Sequence, residues 1–240
     1  YNNSFKPMMA VKLSPNNTKN IQDEDRRLDI ANIYTLNRIG SDENIEEGAS
    51  LTYGFEYLKS NKADKDVLEA SLANVLRVKE SDTLPNQSSL GDKTSDIVGN
   101  LTYSPNDFLN LEYDFLLDSN FNDNNYQSIS SEFRVNNFIT SFEYLNENKT
   151  NNSLSFISNK TSYNLDESNN ILFEIREDKK TGLTEFYNLI YQYKNDCLKA
   201  AIEYNKDYYT DGDLKPQENV FFKLTIIPFG ETSSANLLKW

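Results

Sequence analysis

The sequence predicts an all-β fold, an antiparallel transmembrane β-barrel, and three observations support this prediction. Apolar and polar residues alternate along most of the 240 residues, the predicted strands are long, and long connections alternate with short ones. Successive side chains of a strand point to opposite faces, so alternation gives a sheet with one apolar and one polar face. About twelve such strands are expected from the pattern.

The clearest alternation is the segment GASLTYGFEYLK, residues 48–59. Its apolar face carries Ala49, Leu51, Tyr53, Phe55 and Tyr57. Its other face carries Ser50, Thr52, Gly54 and Glu56. Residues 109–117 repeat the pattern, with leucine and aromatic residues on one side and polar residues on the other.

The twelve predicted strands are Phe5–Leu13, Glu47–Lys59, Asp66–Lys79, Asp96–Ser104, Asp107–Asp118, Asn124–Asn136, Phe138–Glu147, Asn151–Asn164, Asn170–Asp178, Leu183–Lys194, Cys197–Lys206 and Asn219–Pro228. Strands of soluble sheets usually have about five or six residues. A tilted strand needs about nine to eleven residues to cross a bilayer, and most of these segments are that long. Their length therefore favours a membrane barrel over a soluble sheet.

The connections between the predicted strands differ in length in a regular way. Ser14–Glu46 and Glu80–Ser95 are long, and Asp207–Glu218 is moderately long. Tight turns are predicted at Pro105-Asn106, Asn137 and Asn195-Asp196. Outer-membrane barrels have short periplasmic turns and longer external loops, so the alternation favours that class, although the predicted external loop Lys179–Gly182 is short.

The composition argues against several other classes of function. With 37 acidic and 24 basic residues the net charge is −13, which disfavours a nucleic-acid partner. The chain has no His, the commonest general base and metal ligand. Neighbouring carboxylates such as Glu46 and Glu47 are interpreted as parts of a solvated loop or a wet lumen, and Asp211-Gly212-Asp213 lacks the full EF-hand spacing. We therefore predict no catalytic residue, no metal site and no cofactor, and a protein that is not an enzyme.

The polar faces of the strands are the remaining candidates for function. In a barrel of more than about twelve strands the side chains cannot fill the interior, which then holds water, a plug or cargo. The predicted lumen-facing residues are Ser50, Thr52, Glu56, Asn110, Glu112, Asp114, Glu143, Glu174 and Arg176.

Cys197 is the single cysteine, so it cannot form a disulfide within this chain. An odd cysteine in an exported protein suggests a bond to a partner outside the chain or a free thiol. The alternation of the connections places Cys197 at a periplasmic turn. The other interpretation is a small buried residue at the start of a strand.

Two segments resemble a known family. The first contains Lys6-Pro7, Ser14-Pro15, Asp25, the segment IYTLNRIG at residues 33–40, and Glu46 leading into GASLTYGFEY. This stretch resembles the C-terminal barrel domain of the LptD family, the outer-membrane lipopolysaccharide-assembly proteins. The family pattern of Asn-Arg, Gly, Asp and a strand that opens with Gly corresponds here to Asn37, Arg38, Gly40, Asp42 and Gly48. Asp42 comes about one residue early, and Asn44 stands where a basic residue is common, which puts the salt bridge of that basic residue in question.

The second segment is YKNDCL at residues 193–198, followed by Glu203-Tyr204. It is similar to the penultimate-strand motif of the same family. Family members carry one or two cysteines there, disulfide-bonded to the N-terminal periplasmic domain. The resemblance implies such a bond for Cys197, and at most one such bond.

The resemblance also implies an architecture and a function. Residues 1–240 would be the C-terminal half of a barrel of roughly twenty-six strands. The first half and an N-terminal periplasmic jelly-roll would lie outside this chain. Lipopolysaccharide would pass from the jelly-roll into the outer leaflet through a seam between the first and last strands. The last-strand side of that seam would be Val220, Phe221, Phe222, Lys223, Leu224, Thr225, Ile226 and Ile227.

The implied location is the bacterial outer membrane, and the implied partners follow from it. They are lipopolysaccharide as cargo, the lipoprotein LptE as a plug, the outer-membrane bilayer, and the periplasmic lipopolysaccharide-transport bridge, reached through the missing domain. Ser14–Glu46 is expected to fold over or into the lumen. Two alternatives stay open at this point: another outer-membrane barrel, such as a porin or transporter, and a soluble all-β binding domain.

Overall fold

Twelve antiparallel β-strands and one short 3-10 helix, Asn86–Ser88, form the regular structure of the residues that the structure describes. The computed structural model describes residues 1–15, 18–40, 44–148, 153–208 and 216–227. The strands are β1 Asn2–Ser14, β2 Gly48–Ser60, β3 Asp66–Arg77, β4 Ile97–Asn106, β5 Leu109–Leu117, β6 Asn124–Val135, β7 Phe138–Glu147, β8 Leu154–Asn164, β9 Asn169–Asp178, β10 Leu183–Lys194, β11 Leu198–Asp207 and β12 Gln217–Ile226. None of the helical structure in the described ranges is long and apolar enough to span a membrane.

The strands form one sheet in the order of the sequence, β1 to β12. This confirms the all-β, antiparallel fold with twelve strands. Each strand begins and ends within about three residues of its predicted position. Pro228, the predicted end of the last strand, lies outside the described residues, as do Asp211-Gly212-Asp213.

One predicted turn is wrong. Pro105 and Asn106 belong to β4, and the turn consists of Asp107 and Phe108. The side-chain oxygen of Asn106 accepts hydrogen bonds from the backbone N–H of Phe108 (3.2 Å) and of Leu109 (3.1 Å), which sets the turn after Asn106. The ladder between β4 and β5 shifts register just before it, an irregularity that accommodates a proline without a backbone donor.

The chain divides into two compact units, and the first comprises residues 1–133 and 141–157. Residues that pair across neighbouring strands project to the same face. One such row is Phe5, Tyr57, Ala70, Leu101, Tyr113 and Ile129. We call the face that carries this row the exposed face, because Phe5, Leu101 and Ile129 are exposed there.

The opposite face of this unit, the covered face, carries the core. Its strands contribute Ala73, Val75, Val98 and Leu116, all buried. Residues 18–40, which connect β1 to β2, lie against these side chains through Ile21, Leu28, Ile33 and Ile39. The long connection therefore packs on the face that also carries Ser50 and Thr52, and Leu84 and Leu90 from the next long connection complete the cluster.

The second unit comprises residues 134–140 and the described residues from 158 onward. Its sheet is also two-faced. The apolar face holds the paired rows Leu189, Tyr204, Val220 and Tyr191, Ile202, Phe222. The polar face holds Glu174 paired with Asn188, and Ala201 paired with Lys223. The alternation of apolar and polar residues that is predicted along most of the chain is confirmed in β10 and β11 by this register.

Candidate functional site

A buried cluster of ions lies where the connection between β1 and β2 meets the covered face. At its centre the carboxylate of Glu46, 1% exposed, accepts hydrogen bonds from three cationic side chains. Arg38 Nε donates at 2.6 Å and Lys12 Nζ at 3.0 Å, and Arg77 Nη1 is the third donor. The cluster thus joins the connection to β1 and to β3.

Arg38 also anchors the connection to β2. Its Nη1 donates to Thr52 Oγ1 at 2.8 Å, and its Nη2 donates to Ser50 Oγ at 2.7 Å. Its Nε and Nη2 also donate to the carboxylate of Glu46, so all three nitrogens of the guanidinium are hydrogen-bonded. Arg38 is only 3% exposed. Two of the predicted lumen-facing residues, Ser50 and Thr52, therefore hold a buried arginine.

The charges of this cluster do not balance within the cluster itself. Lys12, Arg38 and Arg77 face the single carboxylate of Glu46, and backbone carbonyls take up part of the remaining positive charge. Lys12 Nζ donates to Leu36 O at 2.6 Å, and Arg77 Nη2 donates to Glu47 O at 2.7 Å. Burial by itself would raise the pKa of the Glu46 carboxyl, but the hydrogen bonds and charges of Arg38 and Lys12 outweigh it and hold that pKa below its ordinary value.

The lowered pKa of Glu46 makes the stability of the fold depend on pH. A carboxyl whose folded pKa is below its unfolded value contributes stability that is complete above the unfolded value. That contribution is lost as the pH falls from 4.5, the ordinary value, through the lowered folded pKa. In urea titrations of the full-length protein between pH 7 and pH 3, the free energy of unfolding should fall more steeply for the native chain than for Glu46→Gln. All other carboxyls are the same in both proteins, so the difference in slope reports Glu46 alone. Parallel curves for the two proteins would contradict this assignment.

The glycines of the family motif occupy backbone conformations that other residues adopt at a cost. Gly40 has a φ of +64° and Gly48 a φ of +86°, both in the left-handed region. A Cβ atom on Gly48 would lie 3.2 Å from Arg77 Nη2, inside the ion cluster. Asn37 is exposed, and its carbonyl accepts the N–H of Gly40 at 3.0 Å, whereas Asp42 lies outside the described residues.

Asn44, which stands where the family often has a basic residue, makes a different kind of contact. Its Oδ1 accepts the backbone N–H of Lys19 at 2.9 Å, and its Nδ2 donates to Lys19 O at 3.1 Å. This pair of bonds links the two ends of the connection. Asn44 is buried, so both bonds are shielded from water.

The structure brings most of the predicted lumen-facing residues together on the covered face. Glu56, Asn100 and Asp114 belong to one cross-strand row, and Asn100 Nδ2 donates to Asp114 Oδ1 at 2.7 Å. Asn110 and Glu112 share this face, because they lie four and two residues before Asp114 in β5 and every second residue of a strand points the same way. That these residues line a lumen stays a prediction.

Glu143 and the two candidates of the second unit are placed separately. Glu143 lies on the same face of β7 as Glu147, four residues further along the strand. Glu147 accepts a hydrogen bond from Arg27 of the long connection at 3.0 Å. In the second unit Glu174 pairs with Asn188, and Arg176 forms an ion pair with Glu185. Each of these positions is on a polar face of its own unit.

A cavity of about 400 Å³ lies between residues 27–31 and strands β4 to β6 on the covered face. Arg27 crosses it, with its guanidinium carbon 3.5 Å from the centre of the Tyr126 ring. Asp29, Asn100 and Asp114 add polar groups to the lining. Such a cavity can hold water or neutral polar groups, and its lining contains no nucleophile paired with a base.

Sequence reasoning missed the centre of the ion cluster. The interpretation of Glu46 as part of a solvated loop or a wet lumen is wrong, because that carboxylate is buried among cations. Lys12, Ser50 and Arg77 form one cross-strand row, which gathers charges from residues far apart in the chain. The one signal in the sequence was Glu46 itself, between Arg38 and Gly48 in the segment that carries the resemblance.

A backbone hydrogen bond links Cys197 to the residue that follows the last strand. Asn195 Oδ1 accepts the backbone N–H of Cys197 at 3.0 Å and of Leu198 at 2.8 Å, which fixes the tight turn predicted there. Ile227 N donates to Cys197 O at 2.8 Å, so pairing with the last strand reaches the cysteine. The thiol of Cys197 is free and half-buried.

The predicted seam residues all lie on or next to β12. Val220, Phe222, Leu224 and Ile226 project from its apolar face, and Phe221, Lys223 and Thr225 project from its polar face. In the part of the chain that the structure describes, the ladder of β12 is with β11 alone. That β12 borders a seam stays a prediction.

The chain was compared with models of known protein families, and one of them matches it. The model of one family, described as LptD: LPS transport system D, matches residues 1–171. The match takes in β1 to β8 and includes every member of the ion cluster. A search of curated proteins found no match to this chain.

Proposed function

Because the chain belongs to the LptD family, we propose that it is part of an outer-membrane translocon that inserts lipopolysaccharide into the outer leaflet. The family is one of outer-membrane lipopolysaccharide-transport proteins, and this chain has the all-β fold that such a protein needs. The observation that carries the proposal is the two-faced sheet. In the second unit one face is polar and the other is apolar and exposed. In the first unit the exposed face is apolar, and the covered face combines polar residues with the buried core.

The exposed apolar side chains suit hydrocarbon better than water. Val11 is 68% exposed and Phe222 is 68% exposed. Both belong to apolar cross-strand rows rather than to isolated positions, Val11 with Leu51 and Leu76, and Phe222 with Ile202 and Tyr191. Soluble monomers rarely expose apolar patches of that extent. In the proposed function these faces contact lipid, and the polar faces border a hydrated path for the sugars of the cargo.

The proposed mechanism is physical rather than chemical. Sugars of the lipopolysaccharide stay on the polar face while its acyl chains leave sideways through a seam bordered by residues 220–227. In hydrocarbon each unpaired backbone group costs several kcal/mol, so the seam has to be short or weakly paired to open.

The rest of the proposed assembly lies outside this chain. We propose that residues 1–240 are the C-terminal part of the barrel, that the first half and a periplasmic jelly-roll precede them, and that LptE plugs the lumen. The periplasmic transport bridge would reach the barrel through the jelly-roll. Residues 18–40, which pack on the covered face, would then lie on the lumen side.

Cys197 offers a test of the link to the periplasmic domain. If Cys197 is bonded to that domain, Cys197→Ser should abolish one disulfide-dependent band of the full-length protein on a non-reducing gel. Because the bond would close a very long loop, its loss should reduce stability by about 2–4 kcal/mol. The native protein run with and without reductant is the control, and identical mobility under both conditions would refute the bond.

The experiment that tests the proposed function is depletion of the full-length protein in its host. Surface lipopolysaccharide and porin assembly are assayed together. Loss of surface lipopolysaccharide while trimeric porins still form would support the proposal, and intact surface lipopolysaccharide would overturn it. In that case a defect confined to solute uptake would favour a porin or transporter, and an unchanged envelope would favour a soluble β domain.

A further inference from the structure

A second cavity, of about 330 Å³, lies on the polar face of β10 to β12 and is lined by basic side chains. The ammonium-bearing residues in its lining are Lys194, Lys199 and Lys223, and the one carboxylate is Glu203. Lys223 Nζ donates to Glu203 Oε2 at 2.6 Å, so this carboxylate already has a cationic partner. The lining therefore carries more positive than negative charge.

The register places two of these lysines directly opposite each other. Lys194 of β10 pairs with Lys199 of β11, next to the tight turn that joins the strands. Like charges directly opposite each other in a ladder destabilise it. Within the described residues neither ammonium forms a hydrogen bond or an ion pair, and the carboxylate of Glu203 in the same lining is bonded to Lys223.

The surroundings make this local excess of positive charge unusual. The chain as a whole has a net charge of −13, which repels anions. A concave basic site is one way in which such a chain can attract an anion at a chosen point. Thr225 and Gln192 add neutral polar groups to the same lining.

We propose that this cavity binds a phosphate monoester carried by the glycolipid cargo. The inference rests on the proposed function. A phosphate carries a charge of about −1.5 to −2 and three acceptor oxygens, which matches several ammonium donors around one cavity. Its binding would relieve the repulsion between Lys194 and Lys199.

The position on β12 suits an amphiphilic ligand. Lys223 and Thr225 point to the cavity side of the strand, and Phe222 and Leu224 alternate with them on the exposed apolar side. One strand thus presents a phosphate site on one face and an apolar surface on the other. The cavity adjoins the Cys197 turn. The alternation of the connections predicts that this turn is periplasmic, which is the side where cargo would arrive.

The test measures binding to the full-length protein, purified in detergent with the partners that accompany it. The probes are a diphosphorylated, acylated glucosamine disaccharide and the same glycolipid after phosphatase treatment. The test variant is K194Q/K199Q, and its control is K179Q/K180Q, which removes two exposed lysines from the turn after β9. Both changes alter the net charge equally.

The test variant should bind the phosphorylated glycolipid about tenfold more weakly, which corresponds to about 1.4 kcal/mol. Binding of the phosphatase-treated glycolipid should be unchanged, and the control variant should bind both probes as the native protein does. A second variant, K199E, can pair with Lys194 and should fold even if the first does not; its affinity for the phosphorylated probe should also fall. Competition by millimolar inorganic phosphate would show that the phosphate alone is recognised, and absence of competition would show that the attached lipid is required; either result, together with the variant effect, supports the site.

Two results would overturn the inference, and they are distinguishable. If the lysine variants bind the phosphorylated glycolipid as tightly as the native protein does, the site is refuted while the proposed function stands. If the native protein binds neither glycolipid, the proposed function fails and the site fails with it.

Discussion

Glu46→Gln should lower the free energy of unfolding by about 3–5 kcal/mol, because it removes one partner from a buried ion cluster. Glutamine keeps the size of the side chain and can accept hydrogen bonds, but it carries no charge. Lys12, Arg38 and Arg77 would then be left without the carboxylate that they share. The cost arises mainly from buried cations that lose their counter-charge.

The measurement is a urea titration of the full-length protein in lipid vesicles, followed by gel mobility of the folded and unfolded forms. Glu24→Gln is the matched control, because Glu24 also bonds an arginine, Arg26, at 2.6 Å but near the surface. An exposed pair of this kind contributes about 0–1 kcal/mol. Equal losses for the two variants would contradict the importance of burial at Glu46.

A second substitution separates charge from packing in the same cluster. Arg77→Met removes one of the excess cations while keeping much of the apolar stem. In the Glu46→Gln background it should recover part of the lost stability, so that the double variant is less destabilised than the sum of the single ones. Protease cleavage within residues 18–40 provides an independent measure, since their attachment depends on Arg38.

Gly54→Ala should destabilise the fold by about 1–3 kcal/mol, in the range of overpacked sites. A Cβ atom at Gly54 would overlap the carbonyl oxygen of Leu72 and lie 2.5 Å from Tyr34 Oη. The carbonyl belongs to the neighbouring strand and cannot move without disturbing the β2–β3 ladder. Tyr34 comes from the connection that packs on the covered face, so the added methyl group would also push that connection away.

Two other glycines serve as controls in the same unfolding experiment. At Gly99 the three atoms nearest to a Cβ would belong to the ring of Phe115, a side chain that can rotate, so Gly99→Ala should cost less than Gly54→Ala. Gly182 has a φ of +66° with nothing within 4 Å, so alanine there should cost about 1 kcal/mol through backbone strain alone. Equal losses at all three sites would contradict the steric argument.

The alternation of side chains was readable from the sequence because it depends on neighbouring residues alone. Leu51 and Thr52 must point to opposite faces wherever their strand lies in the sheet. The same local rule predicted the faces of residues 183–194 and 197–206, and the tight turn at Asn195 follows from its side chain bonding the next N–H groups. Strand number, strand limits and fold class were therefore predictable.

The tertiary structure decided which residues meet across the sheet. Register brought Lys12 and Arg77 into one row with Ser50, and no local pattern reports a register. Glu46 looked like one acidic residue among 37, and only the packing of residues 18–40 on the covered face buried it among cations. The sequence by itself determined the twelve two-faced strands, because alternation is local; the ion cluster came from long-range pairing, which only the folded chain specifies.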